Sequence, residues 1–144
     1  CWIAKIFADR MKFKNKSGNI VLLSSIYGII AQNPQNYKKT SMNMNMTYSV
    51  IKSGIIGFVK QSASYYGKNK IRINALCPGA ISGHIKGSKQ AQNKNFIKNF
   101  SSNVPLKRLA LAKEIANVLN FLISDKSSYI SGQTIVVDGG YTVV

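Results

Sequence analysis

Cysteine, histidine, arginine and acidic residues are all scarce in this chain, and long apolar runs are absent. The cysteines are Cys1 and Cys77, far apart and without a CxxC pair, and the one histidine is His84, on a polar stretch that reads as solvated. This excludes a disulfide framework and a zinc site, so no metal is expected and a reducing cytoplasm fits best. No apolar run approaches the roughly 18 residues that a membrane span needs, and no signal-peptide pattern opens the chain, so no membrane association is expected. Four Asp and Glu against twenty Lys and Arg leave a formal net charge of +16, which points first to a polyanion. The distribution argues otherwise. The lysines are spread from Lys5 to Lys126 with no dense run, and arginine, the preferred bidentate reader of phosphate or guanine, occurs only at Arg10, Arg72 and Arg108. The accompanying surplus of Asn, Lys and Ile is one that a biased genome can supply, so no specific nucleic-acid partner is expected, only non-specific retention at low salt.

What is present is the profile of a globular domain, with 45% hydrophobic and 17% charged residues and with Gly and Pro between short apolar runs. Residues 1–144 read as a single partial domain with one core. "CWIAKIFADRMKF" opens in what reads as mid-helix, with Trp2, Ile3, Ile6, Phe7 and Met11 on one face. "NIVLLSS" is a short continuous apolar run and predicts a strand buried on both faces. Residues 26–46 are polar and irregular, a predicted surface excursion. Val50, Ile51, Ile55, Phe58, Val59 and Ala63 predict a long helix over 47–66, and "IRINALC" predicts a second buried strand stopped by Pro78 and Gly79. Residues 82–103 are rich in Lys, Gln, Asn, Ser and Gly, with Phe96, Ile97 and Phe100 spaced for a short amphipathic helix, and read as a substrate-loop flap. A helix over 112–124 and a last strand in "GQTIVVDGG" follow. This alternation predicts an α/β fold, a parallel sheet with helices on both faces and ligand sites beyond the carboxyl ends of the strands. Those ends are Ser24 and Ser25, then Cys77 to Gly79, then Asp138 to Gly140.

Near the first of them, "MTYSVIK" sets Tyr48 and Lys52 four positions apart, one above the other on a helix. A tyrosine with a pKa of about 10 is a poor base near neutrality, but an adjacent ammonium favours its phenolate and makes the hydroxyl a useful general acid/base. Ser25 can donate a hydrogen bond to the same substrate oxygen. Taken alone, the pair equally fits a half-buried tyrosine beside a solvated lysine. Tyr27 and Tyr37 either line the pocket or sit in a surface loop.

Context decides the weight. "GNIVLLSSIYG", "YSVIKSGIIGFVKQSA", "IRINALCPGAI" and "DKSSYISGQTIVVDGG" occur in this order and resemble the carboxyl-terminal half of the short-chain dehydrogenase/reductase family, over essentially the whole chain. The resemblance implies a Rossmann-like parallel sheet whose amino-terminal half is missing here. It implies an NAD(P)-dependent oxidoreductase that interconverts a carbonyl and an alcohol, with NAD or NADP as cofactor. Tyr48 then corresponds to the catalytic general acid/base, Lys52 to the lysine that lowers its pKa and hydrogen-bonds the cofactor ribose, and Ser25 to the substrate-orienting serine. Pro78, Gly79 and Ile81 match the turn that lies against the nicotinamide, where Gly79 lets the main chain approach closely. The helix at 47–66 and the last strand resemble those used between subunits, which implies a homo-oligomer.

Several departures shape the expectation. The family commonly has a threonine two residues after the position of Ile81, where this chain has Gly83 beside Ser82. "NPQNYKKTSMNMN" enlarges the connection from Ser25 to Tyr48, similar to members from bacterial surface-sugar and flagellin modification clusters, so a small polar, sugar-related carbonyl or alcohol is the expected substrate. No G-x-x-x-G-x-G dinucleotide turn occurs anywhere, so the chain is expected to be incomplete and inactive alone. The strand at 19–24 is then expected to carry an exposed edge. The alternative reading is a non-catalytic truncated remnant or subunit-association module.

Overall fold

The computed structural model describes residues 1–83 and 92–144. The order is helix α1 (Trp2–Phe13), strand β1 (Gly18–Leu23), helix α2 (Met46–Tyr66), strand β2 (Ile71–Pro78), helix α3 (Lys94–Asn103), helix α4 (Ala112–Ile123) and strand β3 (Thr134–Val137). The strands form one parallel sheet in the order β1-β2-β3, with Gly18 opposite Ile71 and Ala75 opposite Thr134.

The alternation of side chains along β2 sorts the core into two faces. Ile71, Ile73, Ala75 and Cys77 pack with Ala8 of α1 and with Val59 and Tyr66 of α2. Leu76, pointing the other way, packs with Ile115 and Leu122 of α4. Each such buried aliphatic side chain contributes about 1.5–3 kcal/mol of transfer free energy. The polar residues of β2 are spent on the connection into β3. The Arg72 guanidinium donates to the carbonyls of Leu122, Ser124 and Ile130, and Asn74 donates to Ile130 O while accepting from Gln133 N.

Three expectations need correction. β1 is not buried on both faces: its residues are half-buried and Leu23 is 56% exposed. Among the described residues it pairs with β2 alone and is a sheet edge, so its apolar run is covered less than a central strand's. On α1 the helix is as expected but its apolar face is uncovered, with Trp2, Ile3, Ile6 and Phe7 exposed and Ala8 alone buried. The excursion at 26–46 is also more than surface. Ile26 and Asn36 are fully buried, and Asn36 Nδ2 donates to the hydroxyls of Tyr141 (2.8 Å) and Tyr27 (3.2 Å) while its Oδ1 accepts from Asn103 (3.0 Å). A buried amide persists where its hydrogen bonds are met, and these partners tie the excursion to the chain's last residues and to α3. Of the segment read as a flap, 94–103 form α3, whose Phe100 is buried, and 84–91, including His84, lie outside the described residues.

Arg108 and Glu114 close the start of α4 with paired hydrogen bonds of 2.7 and 2.6 Å, and the same carboxylate accepts from Leu111 N at 2.8 Å. The guanidinium, helped by that backbone N–H, lowers the Glu114 carboxyl from its ordinary 4.5 to about 2. A depressed carboxyl adds stability that is fully present above pH 4.5 and is lost as the pH falls toward about 2. Glu114→Gln should therefore flatten that part of the stability-against-pH curve, measured by urea unfolding at a series of pH values; an unchanged acid limb would refute the pairing.

Candidate active site

The carboxyl ends of β1 and β2 and the start of α2 surround a cavity of about 350 Å3, the position expected for a ligand in a parallel sheet. Ser25, Tyr48, Gly79 and Ile81 all line it. Asn45 begins α2 by accepting a hydrogen bond from Tyr48 N at 3.1 Å, which sets Tyr48 in the first helical turn with 41% of its surface exposed. One turn on, the Lys52 ammonium lies 5.4 Å from the centre of the Tyr48 ring and donates to Leu23 O at 3.0 Å. Ser25 is buried to 7% exposure, and its hydroxyl accepts from Tyr27 N at 3.2 Å. Such acceptance leaves a serine O–H proton available for donation.

Three further contacts seat α2 on the end of β1. Ser24 Oγ donates to Lys52 O at 2.8 Å, and Ser53 Oγ donates to Gly28 O at 3.0 Å. Between them the Gly28 backbone packs so closely that a Cβ there would stand 2.8 Å from the Lys52 carbonyl. Gly28 was not singled out in the sequence, because its need for glycine comes from a helix packed across it rather than from a turn signature.

On the opposite wall, Gly79 N donates to Val137 O at 3.0 Å, and a Cβ on Gly79 would lie 3.1 Å from Asp138 Cα and Cβ. A close approach at Gly79 is thus made within the chain, to the residue after β3, and an added Cβ would need Asp138 to give by a few tenths of an ångström. Pro78 is buried at the end of β2 and does not line the cavity. Ile81 forms a parallel bridge with Ala110, and the Ser82 hydroxyl, next to the threonine position held here by Gly83, is occupied in donating to Ala110 O at 3.2 Å.

Tyr27 and Tyr37 do line the cavity. Burial pushes both phenols up, so both remain neutral hydroxyls. Gln32, unnoticed in the sequence, connects the enlarged loop to α2: its Oε1 accepts from the Tyr37 hydroxyl (3.0 Å) and its Nε2 donates to Asn45 O (2.8 Å) and Ser49 Oγ (3.2 Å). Asn45 did carry a signal, a capping side chain three residues before Tyr48; Gln32 carried none. Phe96 and Phe100 of α3 complete the wall, and among the described residues no charged side chain lines the cavity.

The comparisons with known proteins agree with this geometry. The family model described as enoyl-(acyl carrier protein) reductase matches residues 3–142. The chain is 37% identical over 130 residues to post-translational flagellin modification protein A of Campylobacter coli, covering 90% of this chain and 48% of that protein. It is 37% identical over 133 residues to the 3-oxoacyl-[acyl-carrier-protein] reductase FabG of Buchnera aphidicola, covering 91% and 48%. A short-chain dehydrogenase of Leptospira borgpetersenii, solved with bound NAD+, superposes with a TM-score of 0.86 at 31% identity, over 97% of this chain and 50% of that one. A 4-hydroxyisoleucine dehydrogenase complexed with NADH gives 0.79 at 27% identity, over 99% and 54%. The chain belongs to the short-chain dehydrogenase/reductase family, and it spans about half the length of the curated relatives it matches.

Gly28→Ala should destabilise the chain by about 1–3 kcal/mol, since the new methyl meets backbone rather than a yielding side chain. Gly54→Ala, where a Cβ meets nothing within 4 Å, should instead be neutral or stabilise by up to about 1 kcal/mol through helix propensity. Urea midpoints of the two variants in the reverse order would show that α2 does not dock on Gly28.

Proposed function

We propose that this chain supplies the proton-transfer side of an NAD(P)-dependent oxidoreductase that interconverts a carbonyl and an alcohol. The observation that carries the reading is the convergence of Tyr48 and Ser25 on one cavity, with the Lys52 ammonium 5.4 Å from the Tyr48 ring. The Ser25 hydroxyl donates to the substrate oxygen and orients it. Tyr48 gives its phenolic proton to that oxygen in reduction and takes it back in oxidation, while Lys52 places positive charge beside the phenolate so formed. The nicotinamide, when bound, supplies or accepts the hydride. Tyr48, Lys52, Pro78, Gly79 and Ile81 are the residues assigned to it. The donor set fits a nicotinamide ribose: a phenol and an ammonium, with one N–H of the ammonium committed to Leu23 O and others available to ribose hydroxyls.

Grip on the cofactor's pyrophosphate is assigned to a glycine-rich half that this sequence does not contain, so we propose that these residues do not turn over substrate alone. The NAD+-bound and NADH-bound relatives support the cofactor assignment. A small polar, sugar-related substrate is supported by a cavity lined with the amides and hydroxyls of Gln32, Asn43, Tyr27 and Tyr37, and by the flagellin-modification relative. We assign the chain to a homo-oligomer, supported by the exposed Val50 and Ile51 of α2, and to the cytoplasm, in keeping with the free thiols of Cys1 and Cys77. No described helix is long and apolar enough to cross a membrane. The uncovered apolar face of α1 favours a second reading, an association module without catalysis.

The two readings part at Tyr48. With a dinucleotide-binding half present, Tyr48→Phe should lower turnover about 10²–10⁴-fold with cofactor affinity largely kept, read from the absorbance of reduced cofactor. Lys52→Met should weaken cofactor binding, because the ribose hydroxyls lose the ammonium that would donate to them. Full activity in Tyr48→Phe would remove the proton-transfer role.

A further inference from the structure

A second cavity, of about 400 Å3, adjoins the first and is built entirely from the enlarged loop. Tyr37, Met42 and Asn43 line both, so the two spaces share a wall. Their chemistry differs. The inner cavity offers neutral amides, hydroxyls and aromatic rings, whereas the outer one contains Lys38. The turn that presents Lys38 is held from both sides. Asn99 Nδ2 donates to Lys38 O at 2.8 Å and Asn95 Nδ2 to Lys39 O at 2.7 Å, both from α3, and Thr40 Oγ1 donates to Tyr37 O at 2.7 Å. Lys39 has a φ of 56°, a left-handed conformation that costs a side-chain-bearing residue energy and that these bonds maintain. Exposed Lys39 adds to the positive field, as do Lys94 and Lys98 of α3, the helix that holds the turn.

A ligand matching both spaces has a neutral polar end and an anionic end. We propose that the substrate is a phosphate ester of a polyhydroxy compound, with its sugar-like end at Ser25 and Tyr48 and its phosphate in the outer cavity at Lys38. The catalytic reading above decides only which end reacts; the affinity for phosphate rests on the loop. A free sugar phosphate and a nucleotide-linked sugar share this chemistry and are separated by the test.

The test is an NMR titration of the chain at fixed ionic strength with glucose, glucose 6-phosphate, UDP-glucose and inorganic phosphate. Glucose 6-phosphate should shift the amides of residues 37–43 and bind about tenfold more tightly than either glucose or inorganic phosphate. Lys38→Gln should remove most of that gain, while Lys60→Gln on the exposed surface of α2 should leave it intact. If UDP-glucose shows the larger lysine-dependent gain, the proposal holds with a nucleotide-linked ester as the source. Glucose 6-phosphate no tighter than glucose, or no tighter than inorganic phosphate (an adventitious ion only), or insensitive to Lys38→Gln, would overturn it. Tyr48→Phe should change the affinities for glucose and glucose 6-phosphate alike and keep the gain between them, so loss of the phosphate gain and loss of the catalytic reading register in different measurements.

Discussion

Lys52 reaches β1 by two routes, and the site is organised around that double attachment. Its ammonium donates to Leu23 O, and its own main-chain carbonyl receives the Ser24 hydroxyl. One residue thus fixes the height of α2 against the sheet and sets a positive charge near Tyr48. The glycine at Gly28 is what permits this approach, since any larger residue meets the helix backbone. A cation left at a half-buried position is costly unless hydrogen-bonded, so the strand-end carbonyl both stabilises the ammonium and orients it.

Around this anchor the substrate wall is assembled from segments distant in sequence. Asn36 and Tyr141 are 105 positions apart, yet their side chains bond in the interior, and Tyr141 stacks on Phe100 with ring centres 4.6 Å apart. Asp138 secures the last residues by accepting from Gly140 N and Thr142 N, so the end of the chain becomes a fixed support for the enlarged loop. Hydrogen bonds, two of them to the Asp138 carboxylate, do this rather than ion pairs among the described residues. The result is a hydrogen-bonded wall whose described residues add no charge to the inner cavity.

Much of the architecture was legible because periodicity reports local geometry directly. β2 reads as a buried strand and is one, its odd-numbered residues from Ile71 to Cys77 serving one face and Leu76 the other. Tyr48, Lys52 and Ser25 were singled out for a different reason, four motif blocks in family order, and the fold brings Tyr48 and Ser25 to one cavity with the Lys52 ammonium 5.4 Å from the Tyr48 ring. Burial was less legible, since it depends on neighbours that a period cannot specify: "NIVLLSS" reads as buried on both faces, yet its residues are only half-buried at the exposed edge expected for them. The buried role of Asn36, the bridge at Gln32 and the crowding at Gly28 and Gly79 arise from contacts across the fold, and a polar loop residue carries no mark of having a distant partner.

The central claim is that hydride and proton exchange take place at the carboxyl ends of β1 and β2. The most direct measurement is an amide NMR titration of the isotopically labelled chain with reduced nicotinamide mononucleotide, which carries the reactive ring and its ribose but needs no second nucleotide site. The account predicts that shifts concentrate at Ser25, Tyr48, Lys52, Gly79 and Ile81, the residues around the shared cavity. Shifts confined to the opposite end of the sheet, or absent at saturating ligand, would contradict it.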